Sequence, residues 1–357
     1  MPGFGGGLDG ENWQFLFTAA SEFETRSTSR PTVVLVGCSV AVMGIDPLVI
    51  ADILHRRGVP TDFVRIATHG ATATESALLI WNSLAFRPWL VIYAAASRDF
   101  PKSGQPDTGV TRTFYDASAD VPSVRRQGAE ARLDAYLRRY WKLYRYRFFA
   151  RKQLETWASS AASWLTPGSP SHAAEPAPPP PTIPPEAFTY FSPFRITPRS
   201  WAAWDHWRQT RRFEDYVSWL RQPGMTLLDV YKKQSLETFG PEGNPHADAV
   251  DWIMSTLPRY GTQGVIIYFP ENPLFRTTEA REFFDPALSD AYAALFAKQA
   301  ATHGAHFTDL RNLLDPIAFY DMIHVNNVGV LALSESIVAL VEQEWRQRRP
   351  SSGRPER

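Results

Sequence analysis

One cysteine in 357 residues, Cys38, excludes an intrachain disulfide and, with it, a tetrahedral zinc site built from several thiolates. Charge of either sign is not in excess. The 37 Lys and Arg are matched by 37 Asp and Glu, so no overall field favours nucleic acid or an acidic membrane surface, and either partner would need a local patch. Apolar runs stay short of the roughly 20 residues that a membrane helix requires. The opening Met1-Pro2-Gly3-Phe4-Gly5-Gly6-Gly7 has no basic stretch followed by an apolar one. The expectation is therefore a chain without a membrane span or a visible export signal, cytoplasmic by default and of the cell envelope if an export segment precedes it. A phosphate-cradling loop, a dinucleotide glycine fingerprint and a metalloprotease helix motif are also missing, so no cofactor and no metal is expected.

What is present suits a large globule. With 44% hydrophobic and 21% charged residues, the chain can build one α/β domain with an elaboration, or two smaller domains. Short β-branched and apolar runs at 32–37, 63–67, 89–94, 264–269 and 306–310 read as strands, the central ones buried on both faces. Helical patterns lie between them. Asp46-Pro47 starts one that runs to about Arg57, because Asp caps free amides and Pro is tolerated at the first helical position. Others span about 74–86 and 286–303, and a last one runs from Asn326 or Asn327 to about Glu344. Strands alternating with helices predict an α/β fold with a doubly wound, parallel, five-stranded sheet.

About 160 residues separate the third and fourth strands, far beyond a simple crossover, and read as a large helical, Pro-rich insertion. The predicted organisation is a lead-in at 1–31, an α/β domain at 32–100 and 263–345, an insertion at 101–262 and a disordered tail at 346–357. Within the insertion, 125–165 is helical in pattern and dense in Arg and aromatics between Arg138 and Phe149. Residues 167–185, with Pro178-Pro179-Pro180-Pro181, form an extended connector, since proline cannot supply helix or sheet donors. Trp201, Trp204 and Trp207 then give a helix an aromatic face.

In an open parallel sheet, ligands bind beyond the carboxyl ends of the strands, so those ends carry the candidate residues. The first strand ends in Gly37-Cys38-Ser39, the second at His69-Gly70, the third at Ser97-Arg98, and Asp321-Met322-Ile323-His324 precedes the last helix. A serine hydroxyl is a weak nucleophile until an imidazole takes its proton, and a carboxylate must hold that imidazole in the right tautomer. Ser39, His324 and Asp321 are the residue types that chemistry needs. The amides of Ser39 and Gly70 are candidate donors to a tetrahedral oxyanion.

This arrangement resembles the SGNH (GDSL-like) hydrolases and acyltransferases. Gly37-Cys38-Ser39 is similar to their Gly-Asp-Ser opening block, Gly70 to their second-block glycine, and Asp321-Met322-Ile323-His324 to their closing Asp-x-x-His block. Ala96-Ser97-Arg98-Asp99 falls where the family carries Gly-x-Asn-Asp, with Arg98 in the place of the asparagine donor. Together with Gly44-Ile45-Asp46-Pro47, the pattern is similar to bacterial SGNH-like proteins associated with cell-surface polysaccharide acylation. The resemblance covers 32–100 and about 263–345. It implies a flavodoxin-like sheet and a serine esterase or O-acyltransferase for acyl esters, acetyl foremost, of carbohydrate. Ser39, Asp321 and His324 would be catalytic there, with Gly70, Ser97 and Arg98 at the oxyanion and substrate.

Each feature also has a plainer reading. Arg98 is either a clamp for an oxyanion or carboxylate, or a partner of Asp99. His69 lines the cleft or is simply solvated, and Cys38 reads as a small apolar filler. The basic aromatic stretch either grips an anionic polymer or lipid, or covers the sheet with long cationic stems. The tryptophan face is core or a sugar-stacking platform. The alternative function is a catalytically weak SGNH-fold module that binds polysaccharide, or a partner protein through the insertion. An adaptor for membranes or nucleic acid working through the basic stretch is a third reading.

Overall fold

The computed structural model describes residues 30–68, 70–102, 234–273, 285–319, 323–325 and 327–348, with a few positions between 129 and 158. The five apolar runs form β1 (Thr32–Gly37), β2 (Asp62–Ala67), β3 (Leu90–Ala95), β4 (Gln263–Tyr268) and β5 (His306–Asp309). All pairings are parallel, in the order β2-β1-β3-β4-β5. The continuous apolar runs follow from burial on both faces: every residue of β3 is buried, and so is every residue of β1 after Thr32.

The connecting helices are α1 (Ser39–Gly44), α2 (Pro47–Arg56), α3 (Ala73–Ser83), α4 (Leu236–Phe239), α5 (Pro245–Thr256), α6 (Pro286–His303) and α7 (Asn327–Arg348). Helices α2 and α7 pack together on one face of the sheet, while α3, α5 and α6 cover the other, so the sheet is doubly wound as predicted. Asp46 caps α2 by accepting from the Leu48 and Val49 amides at 2.9 and 3.3 Å. Thr72 and Glu75 close a capping box on α3.

Two differences from the sequence reading bear on the site. The stretch after Ser39, where the sequence analysis places no helix, is the helix α1. Its first turn forms because the Cys38 carbonyl accepts from the Ala41 and Val42 amides, at 3.0 and 3.1 Å. Arg65 of β2 donates to the carbonyls of Val42 and Ile45, closing its other end. Residues 234–262 had been placed with the insertion. Asn244-Pro245 starts α5, which lies on α3, with the Trp81 and Trp252 ring centroids 5.4 Å apart.

That crossover helix also fixes the chain leaving β3. Asn244 Nδ2 donates to the Phe100 carbonyl at 2.8 Å, and the Lys102 amide donates to Thr238 at 2.8 Å. Phe100 stacks on Tyr292 of α6 at 4.3 Å between centroids. On the far side of the sheet's end, Glu271 accepts from Ser289, and Arg311 pairs with Asp309 and Asp290 at 2.7 and 2.8 Å.

The chain divides into two units, 1–106 with 211–357, and 107–210. In the second, Ala129, Leu133, Tyr136, Leu137, Leu154 and Ala158 are helical, within the stretch read as helix. The lead-in before Arg30, the proline run, the tryptophan triplet and the tail after Arg348 lie outside the described residues, as does most of the basic aromatic stretch.

His246 of α5 is buried, with Nδ1 2.7 Å from Thr74 Oγ1. Burial lowers its pKa from 6.5 to about 4, against the pull of Glu75. The unfolded chain thus takes up a proton below pH 6.5 that the native fold refuses until about pH 4, so this contribution falls as pH falls through that window. Urea titrations should show parent stability dropping by about 3 kcal/mol more than that of His246→Gln between neutral pH and pH 4. Parallel curves would count against it.

Candidate active site

In the order found here, the strand sequence reverses at β1 and β3, and the crevice opens beyond their carboxyl ends. Ser39 stands there as the first residue of α1, 5% exposed. The helix can begin so soon after the strand because Gly37 has no side chain. A Cβ on it would meet the Ala94 carbonyl oxygen at 2.8 Å and Ala41 Cβ at 2.9 Å.

His324 arrives from the other end of the chain, and its Nε2 lies 3.0 Å from Ser39 Oγ, across 285 positions of sequence. The segment that carries it is pinned on both sides. Phe319 and Val325 form an antiparallel bridge, and Val325 is fully buried. A Cβ at Gly44, the last residue of α1, would meet the Phe269 ring at 2.8 Å and Val325 Cγ2 at 3.1 Å. A Cβ at Gly329 would come within 2.6 Å of Val325 Cβ. Glycine on both flanking helices is what lets Val325 seat deeply enough to bring His324 to the serine.

Of the other predicted residues, three are described: Gly70, Ser97 and Arg98. Gly70, exposed and at φ 71°, turns the chain after β2, a conformation that glycine adopts without strain. Its loop is tied to the end of β1, since the Thr68 amide donates to the Gly37 carbonyl at 3.3 Å. Ser97 and Arg98 lie in a 3-10 turn, Ser97–Asp99, directly after β3, with Ser97 buried and Arg98 half-buried. Asp321 and His69 lie outside the described residues.

Asp99, the acid of the third-strand block and a partner considered for Arg98, is not among the predicted site residues. It is 2% exposed, and its carboxylate accepts the Ala96 amide at 3.0 Å. Burial pushes its pKa up to about 7, opposed by the Cys38 bond, the Arg98 charge and the Ala96 amide, with Glu75 adding to the rise. Cys38 is buried at the end of β1, as expected of a small apolar filler. Burial first and Asp99 second hold its thiol far above the ordinary range, so it is no thiolate nucleophile. An acid just past the end of the third strand is the signal that the sequence carries for Asp99.

Among the described residues, no group of three or more His, Cys, Asp or Glu could hold a metal ion, and no helix is long and apolar enough to cross a membrane. An open cleft of about 590 Å³ lies at the opposite end of the sheet, lined by Trp89, Gln263, Gly264 and Glu344, and contains neither Ser39 nor His324.

Gly44→Ala should cost about 1–3 kcal/mol of stability, because the added methyl must displace Phe269 or Val325. It should also slow the reaction of Ser39 with a fluorophosphonate by about tenfold or more, as the histidine shifts. A parent-like melting curve and labelling rate would mean that the segment bearing His324 is not held this way.

No family profile and no curated protein matches the chain. Among solved structures, it is similar to a "putative arylesterase" from Agrobacterium tumefaciens str. C58, at 13% identity and a TM-score of 0.35, over 88% of this chain and 99% of that one. A likeness of this depth carries no argument about chemistry, and the fold rests on the sheet itself.

Proposed function

We propose that the chain is an SGNH-type serine esterase or O-acyltransferase acting on acyl esters, with acetyl esters of carbohydrate as the substrate class. The observation that carries this reading is the 3.0 Å contact between Ser39 Oγ and His324 Nε2 at the switch point of a parallel sheet. An imidazole in hydrogen-bond reach of a hydroxyl at a helix start is the core of an activated serine. The substrate class comes from the resemblance of the flanking blocks.

In this mechanism His324 Nε2 takes the hydroxyl proton as Ser39 Oγ bonds to the acyl carbon. The tetrahedral oxyanion is met by the amides of Ser39 and Gly70, and Arg98 supplies guanidinium donors where the family uses an asparagine. His324 returns the proton to the departing alcohol, which leaves an ester on Ser39. Water completes hydrolysis; a sugar hydroxyl entering by the same route completes transfer. Asp321 orients His324 through its other ring nitrogen.

The test is labelling of the purified protein with a fluorophosphonate, followed by mapping of the modified peptide. Modification is expected at Ser39 and absent in Ser39→Ala, whose fold should be unchanged because one hydroxyl contributes little. His324→Gln should slow labelling and the turnover of a small acetyl ester on the order of 10²–10⁴-fold. A folded parent that resists the probe would overturn the reading, as would a His324→Gln variant with parental rates.

A further inference from the structure

Ser39 follows β1, which lies between β2 and β3 in the sheet, so the turns leaving those two strands stand on either side of it. The Gly70 turn leaves β2, and the Ser97–Asp99 turn leaves β3. Both are followed by residues that bond to one place, the first turn of α5.

Asn244 and His246 there are polar, yet each is only 1% exposed. Capping accounts for part of this, since Asn244 Oδ1 accepts from the His246 amide at 2.9 Å. A serine could do as much. The far end of the asparagine goes elsewhere: Nδ2 donates to the Phe100 carbonyl at 2.8 Å, and to the Gly240 carbonyl and the Tyr292 hydroxyl at 3.2 Å. Phe100 directly follows Asp99, so this bond holds the end of the turn that carries Ser97 and Arg98.

His246 reaches the other turn. Its Nδ1 lies 2.7 Å from Thr74 Oγ1, and Thr74 is also 1% exposed. Thr74 belongs to the first turn of α3, whose start is fixed by the capping box of Thr72 and Glu75. Gly70 comes just before that cap, in a turn closed by the Ala71 amide donating to the Thr68 carbonyl at 3.4 Å.

We propose that the first turn of α5 is a positioning element of the Ser39 centre: Asn244, through the Phe100 carbonyl, and His246, through Thr74, hold the turn bearing Ser97 and Arg98 and the turn bearing Gly70 at a fixed separation across the serine. The inference rests on the reading of Ser39 as nucleophile. Both side chains are sealed from solvent, so each acts through the backbone it holds. Oxyanion donors serve the charge that develops in the transition state, so a displaced turn lowers kcat and leaves KM alone.

The test compares variants of Thr74 and Asn244 in the full chain. Thr74→Val removes the hydroxyl and keeps the shape, whereas Thr74→Ser keeps the hydroxyl. With active serines counted by fluorophosphonate, Thr74→Val should lower kcat for a small acetyl ester about tenfold at an unchanged KM, and Thr74→Ser should recover most of the loss. Asn244→Ser keeps a cap but is too short to reach Phe100, and should lower kcat by a similar factor. A merely structural bond would reduce the number of active serines and leave kcat per active serine as in the parent. Amide hydrogen exchange reads the turns directly: it should quicken about tenfold over 70–73 in Thr74→Val and over 97–100 in Asn244→Ser.

Parental kcat per active serine in either Thr74→Val or Asn244→Ser overturns the proposal. So does a loss that Thr74→Ser shares in full, or one that falls on KM alone. Should Thr74→Val not fold, His246→Ala takes its place and His246→Asn, whose amide sits near the position of Nδ1, takes that of Thr74→Ser. A parent that neither labels nor turns over overturns Ser39 as nucleophile. Exchange needs no chemistry and separates the two failures, because parental exchange in either variant overturns the clamp whatever the activity.

Discussion

Gly37 leaves no room for a methyl group. At that point β1 lies against β3 closely enough for an added Cβ to touch the Ala94 carbonyl oxygen at 2.8 Å, while α1 already folds back over the strand end. The helices on either side of this seam pack on opposite faces of the sheet, α2 on one and α5 on the other, and the crevice is the gap they leave. A side chain at Gly37 would lift α1 and move Ser39. The placement of the serine is thus a consequence of close backbone packing rather than of any bond the serine itself makes.

The histidine is held by the same kind of constraint. Val325, next to His324, bridges to Phe319 and is gripped between Gly44 of α1 and Gly329 of α7. Helix α1 therefore carries Ser39 at one end and seats the His324 segment at the other. Two residues 285 positions apart share one rigid reference, and their 3.0 Å separation follows from it. Catalytic groups gain from being fixed by packing, since small displacements cost large factors in rate.

Polar burial behind the site runs the other way. A carboxylate sealed beneath two turns pays a desolvation penalty that a neutral side chain would not, and Asp99 accordingly titrates near neutrality. Around it the fold supplies compensation: the Ala96 amide, the Cys38 thiol and the charge of Arg98. Arg98 is electrostatically coupled to Asp99 and stands half-buried in the turn after β3.

The sequence by itself determined the sheet. Five apolar runs, separated by capped helices such as the one begun by Asp46-Pro47, leave a parallel, doubly wound arrangement as the way to bury them. Strand-end position also singled out Ser39, Gly70, Ser97 and Arg98, because loops at that edge converge whatever their sequence. Helix α1 escaped notice, as six residues are too few to show a helical period. Helix α5 has a clear Asn244-Pro245 start, yet nothing in its own residues says that it lies against α3. The burial of Asp99 was decided only in three dimensions, because desolvation depends on what the rest of the chain lays over a residue. The contact of Ser39 with His324 was decided there too, since sequence spacing carries no information about a distance that two glycine-lined packing contacts set.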